Sequence, residues 1–133
     1  MEAAAAALDA FVALDQRMKD IVTAWQLLPA AEGAEPAIND HSDPDYDRSV
    51  LDRLANLHAD AVAWLQPLEA PCPRLASYRP RLARALERAV AGDQKYVASP
   101  RVDSYHGVWF ELHEDLIRLA GRTRSEEVEA GRA

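Results

Sequence analysis

The chain has 133 residues, of which 49% are hydrophobic and 28% charged, with a net charge of −7. This length fits a single domain, and the composition is typical of a globular protein. The acidic charge argues against nucleic acid or an anionic membrane surface as the main partner. Cys72 is the only cysteine, so no intrachain disulfide can form, and the longest apolar run, residues 3–8, is too short to span a membrane. We therefore predict a cytoplasmic protein.

The first predicted helix covers residues 1–28. It begins with an alanine-rich segment, and larger apolar residues then recur at three- and four-residue steps up to Trp25, which is the pattern of an amphipathic helix. Pro29 ends the pattern. Residues 29–43 show no periodicity and contain Gly33 and Pro36, so we predict a long loop. Loops of this length are often lids over a site, or simply mobile.

The second predicted helix covers residues 44–68. Asp43 is a suitable cap, Pro44 suits the first helical position, and Asp45 and Asp47 favour the positive end of the helix dipole. The third covers residues 74–91, although Pro80 is an alternative start, and Gly92 is placed to end it. No pattern of alternating strand residues occurs.

The fourth predicted helix covers residues 100–120, with Ser104 as an alternative start and Gly121 in the position of a terminating glycine. At 100° per residue its apolar side chains cover roughly 200°, more than one face of a surface helix needs. This helix is therefore either central in the fold or in contact with a second subunit. Residues 122–133 are predicted to be a flexible tail. The four segments together predict an all-α protein, an antiparallel four-helix bundle.

His58 is the first candidate site residue, because it lies within the apolar stripe of the second helix. A buried imidazole needs a polar partner, so His58 is either a general base or ligand-binding group, or a structural residue bonded to a carboxylate or carbonyl. The fourth helix offers His106, His113 and Tyr105 as partners, and the first helix offers Asp15, which could instead pair with Lys19 on the surface.

His106 and His113 lie seven residues apart and share one face of the fourth helix. Two turns separate their backbones by roughly 10 Å, which is too far for one metal ion. They are either the polar lining of a pocket, together with Trp109 and Tyr105, or positions at the rim of an interface. His41 stands among aspartates that could bind a metal, but helix capping explains those aspartates too. We predict no metal site and can name no cofactor.

Carboxylates and arginines form two further groups. Glu111 and Glu114, and Glu126 and Glu129, have the spacing of helical carboxylate pairs that hold magnesium, although a solvated face is the better explanation. The face formed by Arg81, Arg84 and Arg88 could bind an anion or pair with acidic neighbours.

Three hypotheses about function follow from these patterns. The first is a non-catalytic helical protein that acts through self-association, as a homodimer, or through partner binding. The second is a small-molecule-binding protein or enzyme with a histidine-lined site between helices, formed by His58, Tyr105, His106, Trp109 and His113. The third is a magnesium-dependent nucleotide phosphohydrolase that uses the helical carboxylates. No phosphate-binding glycine loop and no nucleophile motif is present.

Overall fold

The protein is all-α. A computed structural model describes residues 2–30 and 32–121, with side chains from residue 5 onward. The predicted tail, with Glu126 and Glu129, lies outside the described residues. The α-helices of the described chain are α1 (Glu2–Gln26), α2 (Pro44–Leu65), α3 (Tyr78–Val90), α4 (Lys95–Ala98) and α5 (Tyr105–Leu119). No helix among the described residues has the length and apolarity needed to cross a bilayer.

Several helix boundaries differ from the predicted ones. Helix α1 ends at Gln26, because Leu27–Leu28 (β1) takes an extended conformation and pairs antiparallel with Ala37–Ile38 (β2). Helix α2 ends at Leu65 and continues as a 3-10 turn to Leu68, since Pro67 lacks the amide hydrogen that another α-helical turn would need. The segment predicted to be a loop, residues 29–43, thus contains the strand β2, which forms by pairing with β1 about ten residues earlier in the chain.

The start of α3 and the segment before α5 also depart from the prediction. A 3-10 turn, Pro73–Ser77, precedes α3. Pro80 lies in the first turn of α3, where backbone amides have no bonding partner within the helix, so the hydrogen that proline lacks is not needed. The short helix α4 was not predicted. Helix α5 begins after Ser104, whose hydroxyl accepts a hydrogen bond from the Gly107 amide at 3.2 Å. It ends before Gly121, which has the positive φ of 71° expected of a terminating glycine.

The hydrophobic core is formed by side chains from all five helices of the described chain. Trp25 and Trp109 are buried, whereas Trp64 is partly buried. Helix α5 packs against α1, α3 and α4, so the wide apolar arc on its surface is covered largely within the chain. Among its large apolar residues Phe110 is the exception, with 48% of its surface exposed. The central position of α5 therefore accounts for most of the arc without a second subunit.

Candidate functional site

A cleft between α1 and α5 contains three of the five predicted site residues. It has a volume of about 260 Å³ and is lined by His106, Trp109 and His113 from α5. Four further lining residues, Asp15, Met18, Lys19 and Phe110, were not in the predicted site, although the sequence had indicated Asp15 as a possible partner of His58 and Lys19 as its alternative partner. We call this feature the α1/α5 cleft.

Asp15 is a buried carboxylate that two helices hold in place. The Trp109 Nε1 hydrogen is donated to Asp15 Oδ1 over 3.1 Å, and Lys19 Nζ lies 3.3 Å from Asp15 Oδ2. The pairing with Lys19 is one that the sequence allowed, but with Asp15 buried rather than on the surface. The hydrogen bond from Trp109 could not be inferred from the residue spacing within either helix. Because Trp109 fixes one oxygen and Lys19 balances the charge, the carboxylate is held in a defined orientation within the cleft.

His106 contributes a neutral imidazole to the same cleft. Burial lowers the pKa of His106 below its ordinary value, and the nearby Asp15 opposes this shift only in part. The ring is therefore uncharged at neutral pH and presents one donor and one acceptor nitrogen. With Asp15 and Lys19 cancelling each other's charge, these three side chains carry no net charge.

His58 and Tyr105, the other two predicted site residues, do not line the α1/α5 cleft. The Tyr105 hydroxyl lies 2.9 Å from His58 Nδ1, and the two rings meet edge to face with centroids 5.7 Å apart. Burial raises the pKa of Tyr105 and lowers the pKa of His58, so a protonated phenol and a neutral imidazole share this hydrogen bond. His58 thus has a polar partner on α5, as one of the alternatives predicted. The pair links α2 and α5 outside the α1/α5 cleft, so the five predicted site residues do not form a single site.

A chain of aromatic contacts runs through the core beside the cleft. Phe11 of α1 stacks on Trp109 with a centroid distance of 5.0 Å and also contacts Trp64 of α2 at 5.4 Å and His113 at 4.9 Å. The Tyr105 ring also stacks with Trp109, with centroids 6.2 Å apart. Two of the rings that line the α1/α5 cleft, Trp109 and His113, therefore pack on Phe11 of α1.

A second polar cluster ties the segment before α2 to the end of α1. Asn39 is buried, its amide nitrogen donates to the Trp25 carbonyl and to Asp47 Oδ1, both at 2.9 Å, and His41 Nδ1 lies 2.9 Å from Asp47 Oδ2. The His41 ring packs on Trp25 with centroids 4.5 Å apart. Among the described residues of the segment 29–43, Asn39 and His41 are thus anchored. The sequence offered only capping or metal binding for this region.

Helix capping and ion pairing explain most of the remaining charged candidates. Asp43 accepts hydrogen bonds from the Asp45 and Tyr46 amides, as a cap should. Arg81 is bonded to Glu111 over 2.6 Å, so the carboxylate proposed for magnesium already has a cationic partner. No group of three or more metal-ligating side chains occurs among the described residues.

Three other arginines near α3 also have acidic or aromatic partners, whereas Arg84 is exposed and forms no ion pair with any described residue. Arg79 forms a two-pronged bond with Glu69, and Arg74 lies 3.2 Å from Asp115. Arg88 lies over the Tyr96 ring at 5.2 Å. Of the predicted arginine face, Arg81 and Arg88 thus have partners within the chain, which favours the pairing interpretation for these two.

Comparison with known proteins identified no relative of this chain. No family model, curated protein or solved structure matches the chain. The function therefore has to be inferred from the clefts and the side chains that line them.

Proposed function

We propose that this protein binds a small, uncharged, planar molecule in the α1/α5 cleft. The observation that carries the proposal is the buried Asp15 carboxylate, oriented by Trp109 and facing a cleft that also holds a neutral imidazole, His106. Binding sites of this kind combine apolar walls with a few fixed polar groups. Phe110 and Met18 supply the apolar walls for a ring, while Asp15 accepts a hydrogen bond from a ligand N–H group.

Charge balance favours an uncharged ligand over an anion or a cation. Asp15 and Lys19 form an ion pair, and His106 is neutral near pH 7. A charged ligand would lose its hydration on entering without meeting an unpaired opposite charge, which is costly. An uncharged heteroaromatic ring with an N–H donor meets the available groups at the smallest desolvation cost.

Binding of indole, compared with indole-3-acetate, tests this proposal. We expect indole to shift the backbone amide NMR signals of residues 15–19 and 106–113, and indole-3-acetate to bind at least about tenfold more weakly, because a buried unpaired charge costs more than 1 kcal/mol. Phe110→Ala should weaken indole binding, whereas Ile38→Ala, which removes an apolar side chain 80% exposed on β2, should not.

The pH dependence of indole binding gives a second readout of the same proposal. Because burial lowers the pKa of His106, the affinity should stay constant as the pH falls past the ordinary histidine range and drop only in more acidic solution. His106→Gln should remove that acidic drop. Signal changes confined to other parts of the chain, or equal affinity in Phe110→Ala and the parent protein, would contradict binding in this cleft.

The frame that supports this cleft is proposed to be an antiparallel four-helix bundle in a single domain. Contacts between α1 and α5 run in opposite chain order, since Phe11 meets His113 and Asp15 meets Trp109. The same order relates α1 to α2, where Arg17 is bonded to Asp60 at 2.7 Å and the Tyr46 hydroxyl to the Ala24 carbonyl at 2.6 Å. A bundle of this kind places ligand sites between facing helices.

Association of two copies through α5 is the second candidate function, with Phe110 as the observation that favours it. A phenylalanine 48% exposed beside a cleft is a suitable contact for another protein surface. Most of the apolar arc that suggested a homodimer is already covered by α1, α3 and α4, so any interface would be small. Light scattering at high concentration should then show dimers in the parent protein and monomers in Phe110→Asp; a monomeric parent protein would remove this candidate.

The location that fits these properties best is the cytoplasm. Cys72 is a free and buried thiol, and the sequence holds no second cysteine with which it could pair within the chain. Proteins that keep their thiols free are typical of reducing compartments.

A further inference from the structure

A second cleft lies next to the cluster of Asn39, His41 and Asp47. Its volume is about 430 Å³, larger than that of the α1/α5 cleft, and it is lined by residues of α1, of the segment before α2, of α2 itself and of the C-terminal end of α3. This volume falls within the range of small-molecule sites in proteins. We call it the end cleft; it shares no lining residue with the α1/α5 cleft.

Hydrogen bonding fixes the tautomer of the His41 ring that lines the end cleft. Asn39 Nδ2 carries two hydrogens, and both are used, one on the Trp25 carbonyl and one on Asp47 Oδ1. The 3.3 Å approach of Asn39 Nδ2 to His41 Nδ1 therefore has no hydrogen left to donate. His41 Nδ1 must itself be the donor to Asp47 Oδ2 at 2.9 Å, which leaves the acceptor lone pair on Nε2.

The surroundings of His41 hold the ring in one orientation. Asp47 is buried and fixed by Asn39, and the imidazole packs on the Trp25 ring. His41 has a φ of 61°, and among the described residues no other residue except glycine has a positive φ. Left-handed backbone in such a residue costs about 1–2 kcal/mol and persists only where its surroundings impose it. Nε2 forms no hydrogen bond with any described residue, and the ring lines the cleft.

The other lining groups define the substrate class. Arg48 forms no ion pair with any described residue, and the lining holds the carboxylates of Asp47 and Asp52 beside this one guanidinium, which disfavours a strongly anionic substrate. Val90, 60% exposed, and Trp25 give the cleft an apolar wall. One oriented base, one guanidinium and an apolar wall are what the hydrolysis of a small uncharged ester needs.

We propose that the His41–Asp47 pair is the general base of a hydrolytic site for small carboxylic esters in the end cleft. His41 Nε2 takes a proton from water as the water oxygen bonds to the ester carbonyl carbon. The carbonyl electron pair moves onto its oxygen, beside the guanidinium of Arg48. The carbonyl then re-forms, the bond to the alkoxy oxygen breaks, and the alcohol leaves with the proton from His41.

Each group has a defined part in this step. Asp47 stabilises the imidazolium that exists between the two proton transfers, and Asn39 keeps the carboxylate in place. The products are a carboxylic acid and an alcohol, and His41 returns to its starting form, so water is the only co-reactant.

Hydrolysis of p-nitrophenyl acetate by the full chain tests the proposal. We expect the protein to release p-nitrophenolate at least about 100-fold faster than free imidazole at the same concentration, because an oriented base typically contributes that much. His41→Gln should abolish the difference, and Asp47→Asn should reduce it at least about tenfold. His58→Gln is the matched control, since it removes another partly buried imidazole, and it should keep the full rate.

Two outcomes would overturn the proposal. A parent protein no faster than free imidazole overturns it without any variant, so the result does not depend on whether His41→Gln folds. Equal losses in His41→Gln and His58→Gln, with circular dichroism spectra unchanged, would mean that histidines react alike and that the pair has no special role. Neither outcome bears on indole binding in the α1/α5 cleft.

Discussion

Replacing Phe11 with alanine is expected to lower the free energy of unfolding by about 3–5 kcal/mol. Phe11 is only 1% exposed, and its ring touches Trp64 of α2 and Trp109 and His113 of α5. Its removal leaves a cavity where α1, α2 and α5 meet, and it also removes aromatic contacts worth about 0.5–1.5 kcal/mol beyond burial. Urea unfolding followed by circular dichroism measures the loss.

Two variants serve as controls for this effect. Phe11→Leu keeps most of the volume and should cost clearly less than alanine. Phe110→Ala makes the same chemical change at a half-exposed position on α5 and should also have a much smaller effect. Comparable losses in Phe11→Ala and Phe110→Ala would contradict the central position of Phe11 between the three helices.

Truncation of Leu112 or Leu116 to alanine is the second large effect, with an expected cost of about 2–5 kcal/mol each. Both residues lie on α5 and are fully buried. The helix contacts α1, α3 and α4, so the surrounding helices cannot all move inward to fill the cavity. A large cost at both positions is therefore the expected signature of a central helix.

Thermal and urea unfolding of the two variants can be compared with Leu119→Ala, a substitution of the same kind near the end of α5. Leu119 is only partly buried, so its truncation should cost less than either of the other two. Unchanged stability in Leu112→Ala or Leu116→Ala would mean that α5 is not packed as described.

The helical segments were predictable because their signals are local. The three- and four-residue recurrence of apolar side chains, the Asp43 cap and the terminating Gly121 all act within a few residues of where they stand. The strand pair of β1 and β2 was not predictable in this way. Two residues of each strand are too few to show alternation, and the pairing joins positions about ten residues apart.

The candidate sites show the same division. The position of His58 in the apolar stripe of its helix indicated that the imidazole is buried and needs a polar partner, and Tyr105 was among the possible partners. This could be inferred because burial of an imidazole without a hydrogen bond is costly wherever it occurs. It also placed His106, Trp109 and His113 on one helix. It could not indicate that Asp15 joins them, because an aspartate at the edge of a stripe with a lysine one turn on has the pattern of a surface ion pair.

By itself the sequence determined that this chain is helical and indicated the approximate positions of its four long helices, because periodicity and capping depend on neighbours along the chain. Only the tertiary structure decided that Trp109 orients Asp15, that His58 belongs to a different contact from His106, and that Asn39 and Asp47 hold His41 at a cleft. These contacts join residues on separate elements. Their distances depend on how the helices pack, and no spacing within a single element encodes that.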